Sequence, residues 1–308
     1  MESTAVFFNK YNYQGLLSSD NAICDSLFHY TTVGTLLTIL KNKQFRFSNR
    51  LYLNDYSEGQ YVLDVCKENI DDIWPEDSKY EKDKFVAELS NLSEKLTYKQ
   101  FSIYQLSLSK NGDSLSMWNY YAKGDGINIQ LSSSKLLESF QTQFLTESQW
   151  PVGFLHGSVV YDKQKQIEIL KRLLLDFSRA ESLTGEWYLF TSWAVLYVGT
   201  YFKHRGFCDE QEYRISFNPF FDPYDKEKCL TLKSSKRKEA YYVDVYQRGN
   251  MLVPYIDIDF NEEVVEGITL SPKIAKDGIE DGLRIALRRD NFDIKRVTIK
   301  KSEVPVRF

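Results

Sequence analysis

Leu27-Phe28-His29-Tyr30-Thr31-Thr32-Val33-Gly34-Thr35-Leu36-Leu37-Thr38-Ile39-Leu40 sets the reading of this chain. Its first five residues form a short apolar run that suits a strand. Thr32 followed by Val33, Leu36, Leu37 and Leu40 is a cap ahead of a helical apolar stripe. Strand passes to helix with no Gly-rich turn between them. Phe45 to Ser48 then alternates as a second strand, and after the turn residues Asn54 and Asp55 a helix starts at Ser57, with Tyr61, Leu63, Val65 and Ile70 on it. From there to about Leu96 the chain is charged and helical, an insertion over about 57–100.

Further along, Ile103 to Ser109 predicts a strand and Leu115 to Lys123 a short helix. Ile127 to Leu131 predicts a strand entered through Gly124 and Gly126. A strand at Ser158 to Tyr161 leads into a long helix from about Lys163 to Arg179. Trp187 to Phe202 carries no charge. At 16 residues it falls short of the roughly 20 that cross a bilayer, so a buried core helix from Glu186 to Lys203 is expected and no membrane span. Strands follow at Tyr213 to Phe217, Tyr241 to Tyr246, Tyr255 to Phe260 and Val264 to Leu270. A helix from about Ala275 to Arg289 and a strand from Ile294 to Lys300 close the chain. This mixed order predicts an α+β fold, one domain over residues 1–308.

The 308 residues include 21 Tyr and 20 Phe, and the net charge of −4 provides no global positive field to draw the chain onto nucleic acid. Basic runs are local, at Lys233, Lys236, Arg237 and Lys238 and in the C-terminal set from Arg288 to Lys301. Cys24, Cys66, Cys208 and Cys229 are scattered, with no C-x-x-C pair, and no charged leader precedes an apolar stretch. A reducing cytoplasm is the expected setting. None of His29, His156 and His204 sits at metal-ligand spacing from a Cys, so no metal is expected. The P-loop, the dinucleotide fingerprint and the nucleophile elbow are all absent from the sequence.

Three separated clusters carry candidate chemistry. On the first strand, alternation sends His29 and Thr31 to one face and Tyr30 to the other. The second is Ser107-Leu108-Ser109 with Ser116-Met117-Trp118-Asn119-Tyr120-Tyr121. There Trp118 suits a core, while one of the two tyrosines can lay a ring on a flat ligand. The third runs Phe202-Lys203-His204-Arg205-Gly206-Phe207-Cys208-Asp209-Glu210-Gln211-Glu212-Tyr213-Arg214. Its two carboxylates at i and i+2, where a loop becomes a strand, can both aim into one cleft.

These pieces, with Phe45-Arg46-Phe47-Ser48-Asn49 and the closing Lys301-Ser302-Glu303-Val304-Pro305-Val306-Arg307, resemble the bacterial domain-of-unknown-function 2971 family. That family is similar in turn to the ADP-ribosyltransferase superfamily, in the class with a His, Tyr, Glu triad. The resemblance implies a split mixed or antiparallel β core with flanking helices. It also implies NAD as substrate and mono-ADP-ribosyl transfer to RNA, DNA or protein, in a toxin or phage-defence effector that can have an antitoxin partner. Carried onto this sequence, it implies His29, Tyr30, Thr31, Ser48, Ser116 and Tyr121 as NAD contacts. Glu212 would stabilise positive charge on the ribose and Glu210 would prepare the acceptor. NAD hydrolysis and a non-catalytic nucleotide sensor are the competing expectations.

Overall fold

The structure, a computed structural model, describes residues 24–53, 58–95, 103–144, 153–180, 186–218, 243–275 and 278–305. Strand β1 (Ser26–Thr31) has Leu27 fully buried in the main core and Tyr30 in a separate small cluster, and the adjacent Tyr30 and Thr31 are both buried. The Thr32 hydroxyl then accepts a hydrogen bond from the Thr35 N–H at 3.2 Å and caps helix α1 (Val33–Asn42). Leu36, Ile39 and Leu40 form its buried stripe. Lys43, at φ 53°, ends the helix in the left-handed region and returns its N–H to the Ile39 carbonyl. The chain then enters β2 (Gln44–Asn49).

Eight further strands complete the sheet among the described residues: β3 (Tyr104–Ser109), β4 (Ile127–Ser132), β5 (Gly153–Ser158), β6 (Glu212–Asn218), β7 (Asp244–Arg248), β8 (Met251–Asp259), β9 (Val265–Leu270) and β10 (Thr298–Lys301). The main path runs β10-β9-β4-β1-β3-β2-β8-β7, and β6 with β5 branches from β3. Only β9 and β10 pair in parallel, so the sheet is mixed and the fold is α+β.

The branch at β3 shapes everything that follows. One edge of β3 pairs with β6 along its whole length, from Tyr104 opposite Phe217 to Ser109 opposite Glu212. Two strands divide the other edge. β2 takes Tyr104 and Gln105, and β1 takes Ser109 through one pair with Phe28. Leu106, Ser107 and Leu108 are therefore left without a strand partner on that edge, and the sheet is split there.

Apolar residues of β1, β2, β3, β4, β6, β8 and β9 form the main core with α1, α6 (Ser133–Phe144) and α9 (Glu280–Arg289). A second core joins α2 (Glu58–Glu68), α3 (Ile70–Ile73), α4 (Lys82–Lys95), α7 (Lys163–Ser178) and α8 (Trp187–Val198). Phe85, Leu89 and Leu92 of α4 pack with the residues of α8, and Tyr80 stacks on Trp187 with ring centroids 4.0 Å apart. The expected insertion thus shares a core with the two long helices that come later in the chain. Every residue of α8 from Thr191 to Val198 is buried, which explains a helix with no polar stripe. No helix among the described residues is long and apolar enough to cross a membrane.

Several boundaries depart from the sequence reading. The strand expected at Ser158 to Tyr161 lies earlier, at Gly153–Ser158, and Val160 makes one isolated bridge to Phe202. The helix expected to reach Lys203 ends at Val198 and tightens into a 3-10 turn at Gly199–Tyr201, because Val160 draws the Tyr201–Lys203 backbone into hydrogen bonds. The last strand starts at Thr298, since the chain turns from Asp293 to Val297. Helix α6 had no counterpart in the sequence reading. Asn54, Asp55, Ser57, Tyr241 and the Lys233 to Lys238 run lie outside the described residues.

Candidate functional site

A cavity of about 380 Å³ opens at the split of the sheet. Its floor is the polar face of the two branch strands, Gln105, Ser107 and Ser109 from β3 with Glu212 and Arg214 from β6. Alternation explains this, since the intervening Leu106, Leu108, Tyr213 and Ile215 belong to the main core. His29 and Tyr30 of β1, Arg46 and Ser48 of β2, and Tyr121 after helix α5 (Leu115–Tyr120) line the walls. Lys203, Phe207, Glu210 and Tyr246 also line it, as do the apolar residues Phe28, Leu53, Leu106, Leu108 and Met117.

The two carboxylates reach the cavity through one backbone device. A 3-10 turn, Arg205–Glu210, ends at Gln211 in the left-handed region with φ 43°, and β6 starts on the next residue. Glu210 and Glu212 therefore flank a reversal and both face inward. Glu212 is 6% exposed and Arg214, two positions on along the same strand face, is 1% exposed. Arg214 holds both carboxylate oxygens in a fork, Nε to Oε1 at 2.7 Å and Nη2 to Oε2 at 2.8 Å, while Nη1 donates to the Thr200 carbonyl. Lys203 Nζ bridges the pair, 2.5 Å from Glu210 Oε2 and 3.3 Å from Glu212 Oε2. It also lies 4.7 Å from the Phe207 ring centroid. Two cations and two carboxylates leave this cluster formally neutral, the condition under which charges stay buried.

Ionisation follows from that arrangement. Burial alone would push the Glu212 carboxyl up, but the Arg214 guanidinium, with Lys203 and Ser107, outweighs burial and holds it down at about 2. Burial also disfavours the Lys203 ammonium, yet Glu212 and Glu210 more than offset this and raise it. The Tyr121 hydroxyl donates to Glu210 Oε1 at 2.9 Å and is pushed well up, first by burial and then by the Glu210 charge. Burial lowers His29 to about 4, against a smaller opposing hydrogen bond to the Ser107 backbone, so its imidazole is neutral at neutral pH. His29 also meets the Phe45 ring edge-on at 5.6 Å.

Of the residues singled out by sequence, His29, Tyr30, Ser48, Tyr121, Glu210 and Glu212 share this cavity. Tyr30 has a structural duty as well. Its hydroxyl donates to the Asn111 carbonyl and accepts from the Ser114 N–H, and its ring meets Trp118 edge-on. Between the adjacent tyrosines the helix decides, since Tyr120 is 78% exposed and Tyr121 faces the cavity. Trp118 is core, as its position on the short helix predicts. Two residues stand apart from the cavity. Thr31 is buried at the end of β1, with its carbonyl against Gly126, where a Cβ would come within 2.2 Å. Ser116 faces a separate shallow depression with Asn119 and Tyr120, and its hydroxyl bonds that of Ser114 at 2.8 Å.

Sequence reasoning passed over Lys203 and Arg214 as actors. Arg214 carried a readable signal, a cation at i+2 from a candidate carboxylate on one strand face. Lys203 carried none, because its approach depends on the turn after α8. Arg46 was also missed. It forks onto Asp257 at 3.0 and 2.9 Å, and its guanidinium lies 3.5 Å over the Tyr255 ring and 5.1 Å from Tyr246, a stacked cation at the rim.

A buried ionised carboxylate, Glu212, with the half-buried Glu210, a neutral imidazole and a tyrosine around one cavity, suits chemistry on a polar organic ligand, and the volume lies in the roughly 300–1,000 Å³ range of small-molecule sites. Residues 117–215 match the family model described as Protein of unknown function (DUF2971). The DUF2971 match begins in α5 and ends in β6, so it carries Tyr121, Lys203, Glu210, Glu212 and Arg214, while His29 and Arg46 lie ahead of it. Searches of curated proteins and of solved structures found no match to this chain.

Proposed function

We propose that the cavity binds NAD and that the protein transfers ADP-ribose from it to a macromolecular acceptor. One observation carries the reading: His29, Tyr121 and Glu212, drawn from three distant stretches, converge on one cavity. Their order is that of the His, Tyr, Glu class of ADP-ribosyltransferases.

The chemistry assigned to each residue follows from its state. The Tyr121 ring offers an apolar face to the electron-poor nicotinamide. Neutral His29 can exchange a hydrogen bond with a ribose hydroxyl without adding positive charge where positive charge must develop. The bond between ribose C1′ and the nicotinamide nitrogen breaks, nicotinamide leaves with the electron pair, and the sugar takes on oxocarbenium character. Glu212, ionised throughout the neutral range, stabilises that charge. A nucleophile of the acceptor bonds to C1′ from the opposite side, and Glu210 accepts its proton. Water in the acceptor's place gives NAD hydrolysis by the same steps. RNA, DNA and protein are all chemically competent acceptors. A toxin or phage-defence role in the cytoplasm, with an antitoxin partner, belongs to the same reading.

The fork of Arg214 on Glu212 favours a second reading. A carboxylate whose two oxygens are already held has less charge to give a ligand, which suits a nucleotide sensor that does not turn its ligand over. Incubation of the protein with labelled NAD and lysate fractions, followed by mass spectrometry, separates the two. Transfer predicts free nicotinamide with label on a macromolecule, hydrolysis predicts nicotinamide with free ADP-ribose, and intact NAD would overturn the enzymatic reading.

A further inference from the structure

The segment Ser302-Glu303-Val304, which is not part of the cavity lining, makes a compact set of contacts of its own. Ser302 N–H donates to the Leu270 carbonyl at 2.9 Å, which lays the segment beyond β10 along the end of the sheet. Asp113, in the loop between β3 and α5, then receives it. The Ser302 hydroxyl donates to Asp113 Oδ1 at 2.6 Å and the Glu303 N–H donates to Oδ2 at 2.8 Å. Val304 N–H turns back onto the Ser302 hydroxyl at 3.1 Å, and the Val304 side chain packs against the small cluster of Tyr30, Met117, Trp118 and Ala122. Tyr121 packs on that same cluster.

Asp113 also accepts the Trp118 indole N–H at 2.7 Å, on the same Oδ1 that holds Ser302. Trp118 lies one helical turn ahead of Tyr121, and its carbonyl accepts the Gly124 N–H at 2.7 Å. A six-residue helix such as α5 is too short to hold itself in water, so its docking fixes where its last residues point. A continuous series of contacts thus runs from Ser302 and Glu303 through Asp113 and Trp118 to Tyr121, and from the Tyr121 hydroxyl to Glu210.

We propose that Asp113 is a positioning residue that fastens the C-terminal strap to α5, and that this dock fixes Tyr121 in the cavity wall. The carboxylate accepts three hydrogen bonds, two from adjacent residues of the strap and one from Trp118 on α5. The strap therefore acts on the cavity through Tyr121, and not by reaching the ligand. Its NAD consequence rests on the function proposed above, whereas its effect on the order of α5 does not.

Hydrogen exchange on the full-length chain tests the dock without NAD. In Asp113→Asn, which keeps the shape and loses the charge, amides over residues 111–123 should exchange at least about tenfold faster than in wild type, the scale of charged hydrogen bonds. Amides of β6 and α8 should be unchanged. Ser302→Ala, which removes one strap contact, should show a smaller acceleration in the same stretch and serves if Asp113→Asn does not fold. If wild type binds NAD, Asp113→Asn should weaken binding several-fold, and the same substitution in a Tyr121→Ala background should add almost nothing. Unchanged exchange over 111–123 in the folded variants, or an acceleration spread evenly over the chain, overturns the proposal whether or not NAD binds. With NAD bound by wild type, equal weakening by Asp113→Asn with and without Tyr121 would also overturn it.

Discussion

The two faces of strands β3 and β6 share one ladder of six residue pairs, yet they behave as different materials. On one face Tyr104, Leu106, Leu108, Tyr213, Ile215 and Phe217 interlock in the main core. On the other, Gln105, Ser109, Glu212, Arg214 and Ser216 are buried as well, Ser107 is the one exposed position of β3, and β6 has no exposed position along its length. An apolar face gains from burial through area alone. A polar face gains only if every charge is matched, and matching here takes Arg214, Lys203, Tyr121 and Thr200. A protein that needed only stability could fill that face with apolar side chains at no loss. Under the proposed function, the buried charged face is where ligand chemistry has displaced packing.

Substitutions on opposite faces of β6 should break or sharpen this contrast. Arg214→Met leaves Glu212 buried without its fork and should destabilise by about 3–5 kcal/mol at neutral pH. Ile215→Ala, one residue on, opens a cavity in the main core and should cost about 2–5 kcal/mol. Denaturant titrations distinguish the causes by pH. Burial without Arg214 pushes the Glu212 carboxyl up, so acidification should relieve Arg214→Met by letting Glu212 protonate, and should leave the Ile215→Ala penalty unchanged. Equal pH dependence for the two would contradict the assignment of the charged face.

Wild type should lose stability on acidification in two overlapping windows. His29 and His156 each titrate at about 4 in the folded chain against an ordinary 6.5, so the unfolded chain binds protons first as pH falls from 6.5 toward 4. Glu212 is depressed to about 2 from 4.5, and its contribution is lost as pH falls through that lower range. His29→Gln should flatten the upper window in a pH series of melting curves. A slope unchanged by that substitution would place the histidine's titration elsewhere.

The smallest effects belong to the adjacent tyrosines. Tyr121→Phe removes a hydrogen bond to a carboxylate and should cost roughly 1.5 kcal/mol, whereas exposed Tyr120→Phe should stay within about 0.5 kcal/mol of wild type. A reversed order by thermal melting would exchange their roles.

Much of this architecture was legible in the sequence, and the residues explain why. Alternation at Tyr213 to Phe217 is strict because Tyr213, Ile215 and Phe217 face the core, and the Thr32 cap is local chemistry. The pair Glu210 and Glu212 was legible for the same reason, as spacing along one short stretch. What escaped was set by partners distant in the chain. Lys203 meets both carboxylates only because a left-handed Gln211 turns them together. Ser116 reads like a site residue but falls outside the cavity because Ser114 caps α5 and turns its first residues away. Helix α6 is only moderately apolar, and its buried side is recognisable once β8 and the Val264 turn are packed against it.

In the proposed reaction Glu212 acts on charge that exists only in the transition state. That role is tested most directly by measuring NAD affinity and nicotinamide release for wild type and Glu212→Gln in parallel, with folding checked by circular dichroism. Affinity should change little, while release should fall on the order of a hundredfold or more. Equal release by the two proteins, or a loss of affinity as large as the loss of turnover, would contradict it.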